Sequence, residues 1–463
     1  MLKIRNKLLY DKTKKLAFDG LRLAQDYLAT DGNNFVSNYN EWQFIGGFSS
    51  FMQLNVQKTN HRALVGHVSE SINLLESYKD ALNEMNKDNI WNRHNDQIIG
   101  TFMGDQRFKF GDLINYTISS FLELNNAPCD FECHFDEQIE RVESAFISND
   151  IEYTRHTPIW GVTINSKVSL SDDLCIEPIS NEFIVELLGI GLISNLFNSS
   201  YIGRVPRAMI SKKISQAKHV RDDCNYDNID QAPKLFHEVK IEETLVIDLL
   251  TLTLDAAIKP LGSVTKSANY MHGCRQYEKN DVITPAGITD ITIDKSNEDK
   301  LVDLWCLLSR SQMPKKTKAE EKTKNLLIIA IRRFSLAMTR QSLDDKIIDL
   351  MICAEALFVG DEGPEITYRL SHRAALLLGE SEIESKNIFD FFKKSYKMRS
   401  DVVHGSKSYS ESSVAADNLK TMTDKLSSLL RDAILKILGM AFANPDQKEL
   451  INWNDLMFKN KKT

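Results

Sequence analysis

An arginine and a histidine lie five residues apart at the end of a stretch that predicts a helix. The stretch runs from Ile388 to His404 and is followed by Gly405. At about 100° per residue, its apolar residues share one face; Arg399 falls within that face, whereas His404 projects away from it. A charged side chain on a core-facing stripe costs free energy unless it is paired or serves a site. An arginine and a histidine at a helix end are groups that could hold a phosphate and move a proton beside it.

The same two residues also have a structural interpretation. A histidine at a helix C-terminus interacts favourably with the helix dipole, and Arg399 could simply pair with a carboxylate. Gly405 suits the C′ position, where the backbone turns left-handed and the helix ends. The spacing alone therefore leaves a catalytic and a structural role open for both Arg399 and His404.

The bulk composition is that of an ordinary globular protein. The 463 residues include 42% hydrophobic and 26% charged residues, and the formal net charge is -7. That charge excludes a uniformly basic nucleic-acid coat, although it leaves room for a local basic groove. The length predicts several domains with a sizeable core.

The cysteines and the apolar runs indicate where the chain resides. Seven cysteines without regular spacing argue against a disulfide scaffold and for a reducing compartment. Cys129, Cys133 and His134 lack a second pair at zinc-finger spacing, so we interpret the cysteines as structural thiols and expect no metal site. The basic N-terminus precedes no apolar signal-peptide core, and the longest apolar run, 183–197, is too short to span a bilayer. We therefore expect a cytoplasmic protein without a membrane partner.

The pattern of apolar residues predicts a mainly α protein in four parts. Residues 1–125 form a helical N-terminal region, residues 126–295 a mixed α/β module, residues 296–445 a helical bundle and residues 446–463 a tail. Within the middle module, 159–164 and 174–179 predict strands, 183–197 predicts a buried helix, and 240–254 begins with strand-like alternation. A further strand is expected at 283–288.

The bundle is the most clearly marked part of the chain. Its periodicity predicts helices over 298–309, 325–340, 344–359, 365–378, 388–404 and 412–442. Ser342 is a suitable N-cap, with Asp345 three residues later for the helix that begins at 344. Gly379 is expected to end the helix 365–378.

Three segments of this bundle resemble a HEPN domain, particularly the Apea-like HEPN group. They read D-L-M-I-C-A-E-A-L-F from Asp349, E-I-T-Y-R-L-S-H-R-A-A-L-L-L-G from Glu365 and S-Y-K-M-R-S-D-V-V-H-G from Ser395. The resemblance covers roughly residues 298–442. It implies a bundle of four or five helices that forms a two-fold homodimer.

The resemblance also implies an activity. Many HEPN domains are metal-independent endoribonucleases built on R-x4-6-H, and Arg399 and His404 match that motif. Ser400 stands where many active members carry Asn, Asp or His, although a serine can still hydrogen-bond. The expected partner is RNA and no cofactor is implied. The expected reaction is attack by the 2′-OH, which leaves a 2′,3′-cyclic phosphate or its hydrolysed form and a 5′-OH.

Six further residues are candidates for supporting roles or RNA binding. They are Ser400, Asp401, Tyr396, Arg369, Arg373 and Glu355. Arg369 and Arg373 lie four apart on one helix face, where they could line an RNA groove or form a salt-bridge ladder. Glu355 lies among apolar residues as a partner for one of the arginines. Tyr396 could stack on a base or serve as a core tyrosine.

Members of this family serve in bacterial defence against phage or in toxin–antitoxin pairs, and the resemblance implies such a setting here. The N-terminal region would then receive an inhibitor or a trigger protein. The alternative is a non-catalytic HEPN module for interaction or dimerisation, or a regulatory protein whose α/β module senses a nucleotide.

Overall fold

The computed structural model describes residues 4–45, 50–101, 104–124, 130–193, 205–221, 231–267, 275–279, 290–311, 318–360, 365–405, 413–443, 451, 453 and 456. These residues are mainly helical with a mixed α/β region in the middle, which confirms the fold class at that level. Among their helices, none combines the length and the apolar character that spanning a bilayer requires. The predicted strand at 283–288 and Cys129 lie outside the described residues.

The N-terminal part is a helical unit with its own core. Its elements are α1 (Lys7–Asp31), β1 (Val36–Ile45), β2 (Ser50–Thr59), α2 (His61–Leu74), α3 (Glu76–Lys87), α4 (Asn89–His94), β3 (Ile98–Thr101), β4 (Gly104–Arg107), α5 (Phe110–Glu123) and α6 (Phe131–Ile147). Phe131, Phe135 and Phe146 of α6 are buried in the same cluster as α1, α2 and α5. This helical unit therefore continues to residue 147, beyond the limit of 125 that the sequence predicts.

Strands β1 and β2 pair as an antiparallel ribbon that the helical prediction for this region did not contain. The register runs from Val36 opposite Thr59 to Ile45 opposite Ser50. Phe51 and Trp42 pack beside the helix Asn181–Gly189 of the middle module rather than on the N-terminal helices. The ribbon therefore leaves the helical unit and covers part of the next one.

The middle part is built on an antiparallel sheet. Its elements are β5 (Asp150–Trp160), β6 (Val162–Thr163), β7 (Val168–Ser169), β8 (Leu174–Pro178), α7 (Asn181–Gly189), β9 (Ala208–Ala217), β10 (His219–Arg221), α8 (Gln231–Leu254), β11 (Lys259–Pro260), β12 (Gly262–Ser267), β13 (Arg275–Lys279) and β14 (Ile291–Thr292). The sheet has the order β13-β12-β5-β9-β8-β7, and β11 also pairs with β5. Helix α7 packs on one face and α8 on the other. The predicted strands near 159–164 and 174–179 are confirmed.

Helix α8 corrects the strand-like expectation for residues 240–254. The segment is rich in threonine, valine and isoleucine, which favours strand, but it forms the second half of a 24-residue helix. Leu249, Leu250 and Leu252 are fully buried, because the helix is covered by the sheet on one side and by the C-terminal helices on the other. A helix that is buried all round loses the alternation of polar and apolar residues that would identify it.

The C-terminal part is a bundle of six helices within the described residues. They are α9 (Lys295–Ser311), α10 (Lys318–Thr339), α11 (Leu343–Phe358), α12 (Ile366–Leu378), α13 (Glu382–Val403) and α14 (Ser413–Ala443). The Ser342 side chain accepts a hydrogen bond from the Asp345 backbone N–H, as predicted for an N-cap. The start of α13 differs from the prediction, because Ser381 caps the helix and α13 begins at Glu382, six residues before the predicted start at Ile388.

The bundle and the sheet share one hydrophobic core. A single cluster joins Ile159 and Ile210 of the sheet, Leu250 of α8 and Leu350 and Leu430 of the bundle. Ile451 is buried in it and Trp453 packs against it, so these residues of the predicted tail belong to the core. A fragment that began at residue 296 would therefore expose the surface of the bundle that α8 covers.

Cations cap the C-terminal ends of several helices. The Arg431 guanidinium donates to the carbonyls of Leu252 and Thr253 at 2.8 and 3.0 Å, at the end of α8. Lys436 donates to the carbonyl at the end of α12, and Lys218 donates to the last carbonyls of α6. These side chains satisfy carbonyls that lack partners within the helix and interact favourably with its dipole.

Candidate functional site

The predicted catalytic residues lie at the C-terminal end of α13. His404 is the C-cap residue, and its backbone N–H donates to the Ser400 carbonyl at 3.0 Å. Gly405 follows with φ of 65°, so the chain turns left-handed directly after the histidine. This confirms the predicted C′ role of Gly405. The histidine is thereby held on the last turn of a regular 22-residue helix.

Tight packing against α12 fixes the direction of α13. The two helices are joined by a short turn, in which a Cβ on Gly379 would lie 2.8 Å from Cα of Ser385. Ile388, Phe392, Ser395 and Met398 are buried, as the predicted apolar face requires. Because the helix is anchored along this whole face, its end is a rigid support for a functional side chain.

Arg399 is half-buried and has an unsatisfied donor. Its Nε is shielded from solvent and has no hydrogen-bond partner among the described residues. Tyr396 and Glu355 lie beside it. Burial raises the pKa of Tyr396, the Glu355 carboxylate raises this pKa further, and the Arg399 charge opposes both. Glu355 thus acts on the phenol of Tyr396 as well as lying near the arginine.

The side chains of Arg399 and His404 diverge. Five residues on a helix correspond to a rotation of about 140° and a rise of about 7.5 Å. The structure agrees with this geometry, because Arg399 is half-buried against the bundle while His404 is exposed. Ser400 and Asp401 lie between them and are half-buried. A single helix end therefore presents the two groups in different directions.

Arg373 contacts the end of α11 and the C-terminal segment. Its guanidinium donates to the carbonyls of Phe358 and Val359 at 2.8 and 3.0 Å, and lies 5.1 Å from the centre of the Trp453 ring. It thus caps α11 and binds the C-terminal segment to the bundle. Arg369 is half-buried one turn earlier on α12. A role of Arg369 or Arg373 in binding RNA therefore stays a prediction.

Tyr368 is an exposed aromatic residue that the sequence did not single out. Its ring stacks on His372 with an interplanar angle of 9° and meets the Phe389 ring edge-on. The side chain remains 55% exposed. Its position depends on how α12 packs against α13, and helical periodicity alone does not predict that packing.

A second polar cluster lies on the sheet face below α7. Nδ1 of His156 lies 2.8 Å from Oγ of Ser211, whose hydroxyl donates to Glu177. Because the single hydroxyl proton is directed at the carboxylate, His156 donates through Nδ1 and keeps Nε2 as an acceptor. Burial lowers the pKa of His156, and nearby Lys266 lowers it further. The cluster connects β5, β9 and β8, and its members are too far apart in sequence for spacing to reveal it.

The acidic and sulfur side chains do not converge on a cation site in the described part of the chain, where no group of three or more His, Cys, Asp or Glu residues could hold a metal ion. Nε2 of His134 lies 2.9 Å from the Ser120 hydroxyl, and Cys133 is exposed.

Comparisons with known proteins found no similar protein. No family model matches the sequence, and no match was found among curated proteins or solved structures.

Proposed function

We propose that this chain is a metal-independent endoribonuclease of HEPN type, with Arg399 and His404 as its catalytic residues. The observation that carries the proposal is the end of α13, where an exposed histidine sits on a capped helix. Five residues before it lies an arginine whose Nε has no partner among the described residues. The R-x4-H spacing and the order of the three resembling segments support the same function. The proposed setting is bacterial antiviral defence or a toxin–antitoxin pair, with a trigger or an inhibitor protein acting on the N-terminal region.

The reaction needs no protein nucleophile because RNA supplies its own. A base removes the proton from the 2′-OH, the 2′-oxygen attacks the adjacent phosphorus, and the P–O5′ bond breaks. An acid protonates the leaving 5′-oxygen, so the products are a 2′,3′-cyclic phosphate and a 5′-OH. A histidine is suited to either proton transfer near neutral pH. The Arg399 guanidinium would stabilise the charge that builds up on the phosphoryl oxygens.

A pair of chains would resolve the divergence of the two side chains. One His404 cannot act as base and acid at the same moment, and on one helix it points away from Arg399. Two copies related by a two-fold axis would bring two histidines and two arginines to a common phosphate. The homodimer is therefore part of the proposed mechanism.

The rival function is a non-catalytic interaction module. The half-buried position of Arg399 beside Tyr396 and Glu355 also suits a residue that stabilises the bundle or an interface. The two functions differ in what happens to RNA, because a module that only binds leaves the phosphodiester intact.

The test is cleavage of total cellular RNA in EDTA by the full chain and by Arg399→Ala and His404→Ala. Arg22→Ala and His67→Ala are matched controls, because both residues are exposed and lie in the N-terminal unit. We expect cleavage by the wild type and by both controls, with 5′-OH ends, and a loss of at least about a hundredfold for each site variant. Ends that carry a 5′-phosphate, or undiminished cleavage by His404→Ala, would contradict the proposal.

A further inference from the structure

The exposed face of α13 carries a row of lysines that ends at His404. Relative to Lys386, the helix places Lys393 and Lys397 within about 20° and His404 at about 0°. All four side chains are exposed in the structure. The row is about 27 Å long at about 1.5 Å per residue. We call Lys386, Lys393 and Lys397 the lysine stripe.

No ion pair joins the lysine stripe to another described residue; the same holds for exposed Lys394 and Lys420, but neither of these lies on the row that ends at His404. For comparison, the Lys346 ammonium nitrogen lies 3.1 Å from a carboxylate oxygen of Asp424, and the Arg333 guanidinium lies 2.8 Å from a carboxylate oxygen of Asp349. Arg373 binds the end of α11. The three stripe ammonium groups therefore remain available to an external anion, whereas cations such as Lys346, Arg333 and Arg373 already contact the fold.

An aromatic ring flanks the lysine stripe. Phe389 falls about 60° from the axis of the stripe and lies between Lys386 and Lys393 along the helix. Tyr368 packs edge-on against Phe389, with 5.7 Å between the ring centres. Much of its ring stays exposed beside the lysine stripe. An exposed aromatic ring next to spaced cations is the combination with which proteins bind bases and phosphates of a single strand.

We propose that the lysine stripe and Tyr368 bind one single strand of RNA and lead it along α13 to His404. The lysines contact successive parts of the phosphate backbone, and one base stacks on Tyr368. This inference rests on the proposed function, because it names the path by which the substrate of that site approaches. The strand is single because a base in a duplex is stacked on its neighbours and cannot reach a protein ring.

The binding contacts predict a sequence-independent, salt-sensitive affinity. Each phosphate that a lysine neutralises contributes about 0.7 to the slope of log K against log salt for a single strand. Loss of three contacts should therefore reduce that slope by about 2. Loss of one base stack should weaken binding by about fivefold or more. It should leave the salt dependence of the affinity unchanged, because a stacked ring neutralises no phosphate.

The test measures binding of a fluorescein-labelled 2′-O-methyl oligouridylate to the full chain by anisotropy over a range of salt concentrations. This probe lacks the nucleophilic hydroxyl, so binding is measured without cleavage. The variants are a triple substitution (K386Q, K393Q and K397Q) and Tyr368→Leu. The matched control is the triple substitution K7Q, K15Q and K79Q, which removes the same charge from exposed lysines of α1 and α3.

We expect the stripe variant to bind at least about tenfold more weakly at low salt with the reduced slope, and the control to bind like the wild type. Equal weakening by both triple variants would show a general charge effect and overturn the proposal, as would a wild type that does not bind the strand. A stripe variant with normal binding and cleavage overturns the path but leaves the ribonuclease intact. Binding that depends on the stripe in a protein without cleavage supports the path and counts against the ribonuclease.

Discussion

Cations in two regions of the molecule have opposite surroundings. Between α8 and the sheet, Arg155 donates to Glu243 and to Glu278 at 2.8 Å each, and the side chains of Arg155 and Glu243 are only 3% and 7% exposed. On α13, the lysine stripe is exposed and has no partner among the described residues. A buried, paired charge stabilises one packing arrangement, whereas an exposed, unpaired one contributes little to stability and remains able to bind a ligand. The first region should therefore respond to substitution in stability, and the second in binding.

The largest expected effect on stability is that of Arg155→Met. The substitution leaves Glu243 buried without its cation, and burial already raises the pKa of this carboxyl group. We expect a loss of about 3–5 kcal/mol in the free energy of unfolding. Denaturant unfolding measures it, and the double variant Arg155→Met/Glu243→Leu should recover most of the loss. A single variant as stable as the wild type would show that the pair does not hold α8 to the sheet.

Asp248 of α8 should make stability depend on pH. Burial raises its pKa to about 6, although Ser335 and Arg332 favour the ionised form. The folded state thus holds the proton more tightly than the unfolded chain, so this group lowers stability as pH rises from about 4 to about 6. Asp248→Asn should stabilise the protein by up to about 3 kcal/mol at pH 7.5 and by less at pH 5. Thermal unfolding at both pH values measures the gain, and Asp417→Asn, at an exposed position, is the control. A gain in stability from Asp248→Asn that is equal at pH 7.5 and pH 5 would contradict the raised pKa of Asp248.

Gly405→Ala tests the turn that holds His404. A Cβ there would meet no atom of the described residues within 4 Å, so the expected cost is that of the left-handed backbone. We expect a loss of about 1–2 kcal/mol in stability. Gly439→Ala is the matched control, because this glycine lies inside α14 with equal free space and should gain about 0.5–1 kcal/mol. Equal changes in stability from the two substitutions would show that Gly405 is not held in the left-handed conformation.

The smallest expected effect is that of the stripe lysines on stability. Each single change of Lys386, Lys393 or Lys397 to glutamine should alter the free energy of unfolding by no more than about 0.5 kcal/mol. Chemical denaturation of the three variants measures it. A loss of more than about 1 kcal/mol would mean that the lysine has a structural partner and does not belong with the free cations.

The sequence predicted the bundle better than the middle of the chain for a physical reason. Helices α11 to α14 have one polar face and clear caps such as Ser342 and Gly379, so periodicity and end signals agree. The segment 240–254 of α8 was wrongly expected to begin as a strand, because residues 245–254 are all buried and present no polar face that would identify a helix. The β1–β2 ribbon was missed within a region whose other segments have helical spacing.

The candidate site was predictable only in part. The end of α13, the burial of its apolar face and the turn at Gly405 follow from residues that are neighbours in sequence. The position of Tyr368 against Phe389 and the cluster of His156 with Ser211 depend on helix pairing and strand register. Such contacts join residues that are 21 and 55 positions apart, and local patterns do not determine them.

The most direct test of the paired site is a subunit-mixing titration of RNA cleavage. The wild-type chain is held constant, His404→Ala is added in increasing amounts with full exchange of subunits, and RNA is kept in excess. If two histidines act on one phosphate, mixed pairs are inactive, so at threefold excess the cleavage per wild-type chain should fall to about one quarter. Cleavage that stays constant as the variant is added would contradict the account, because each chain would then carry a complete site.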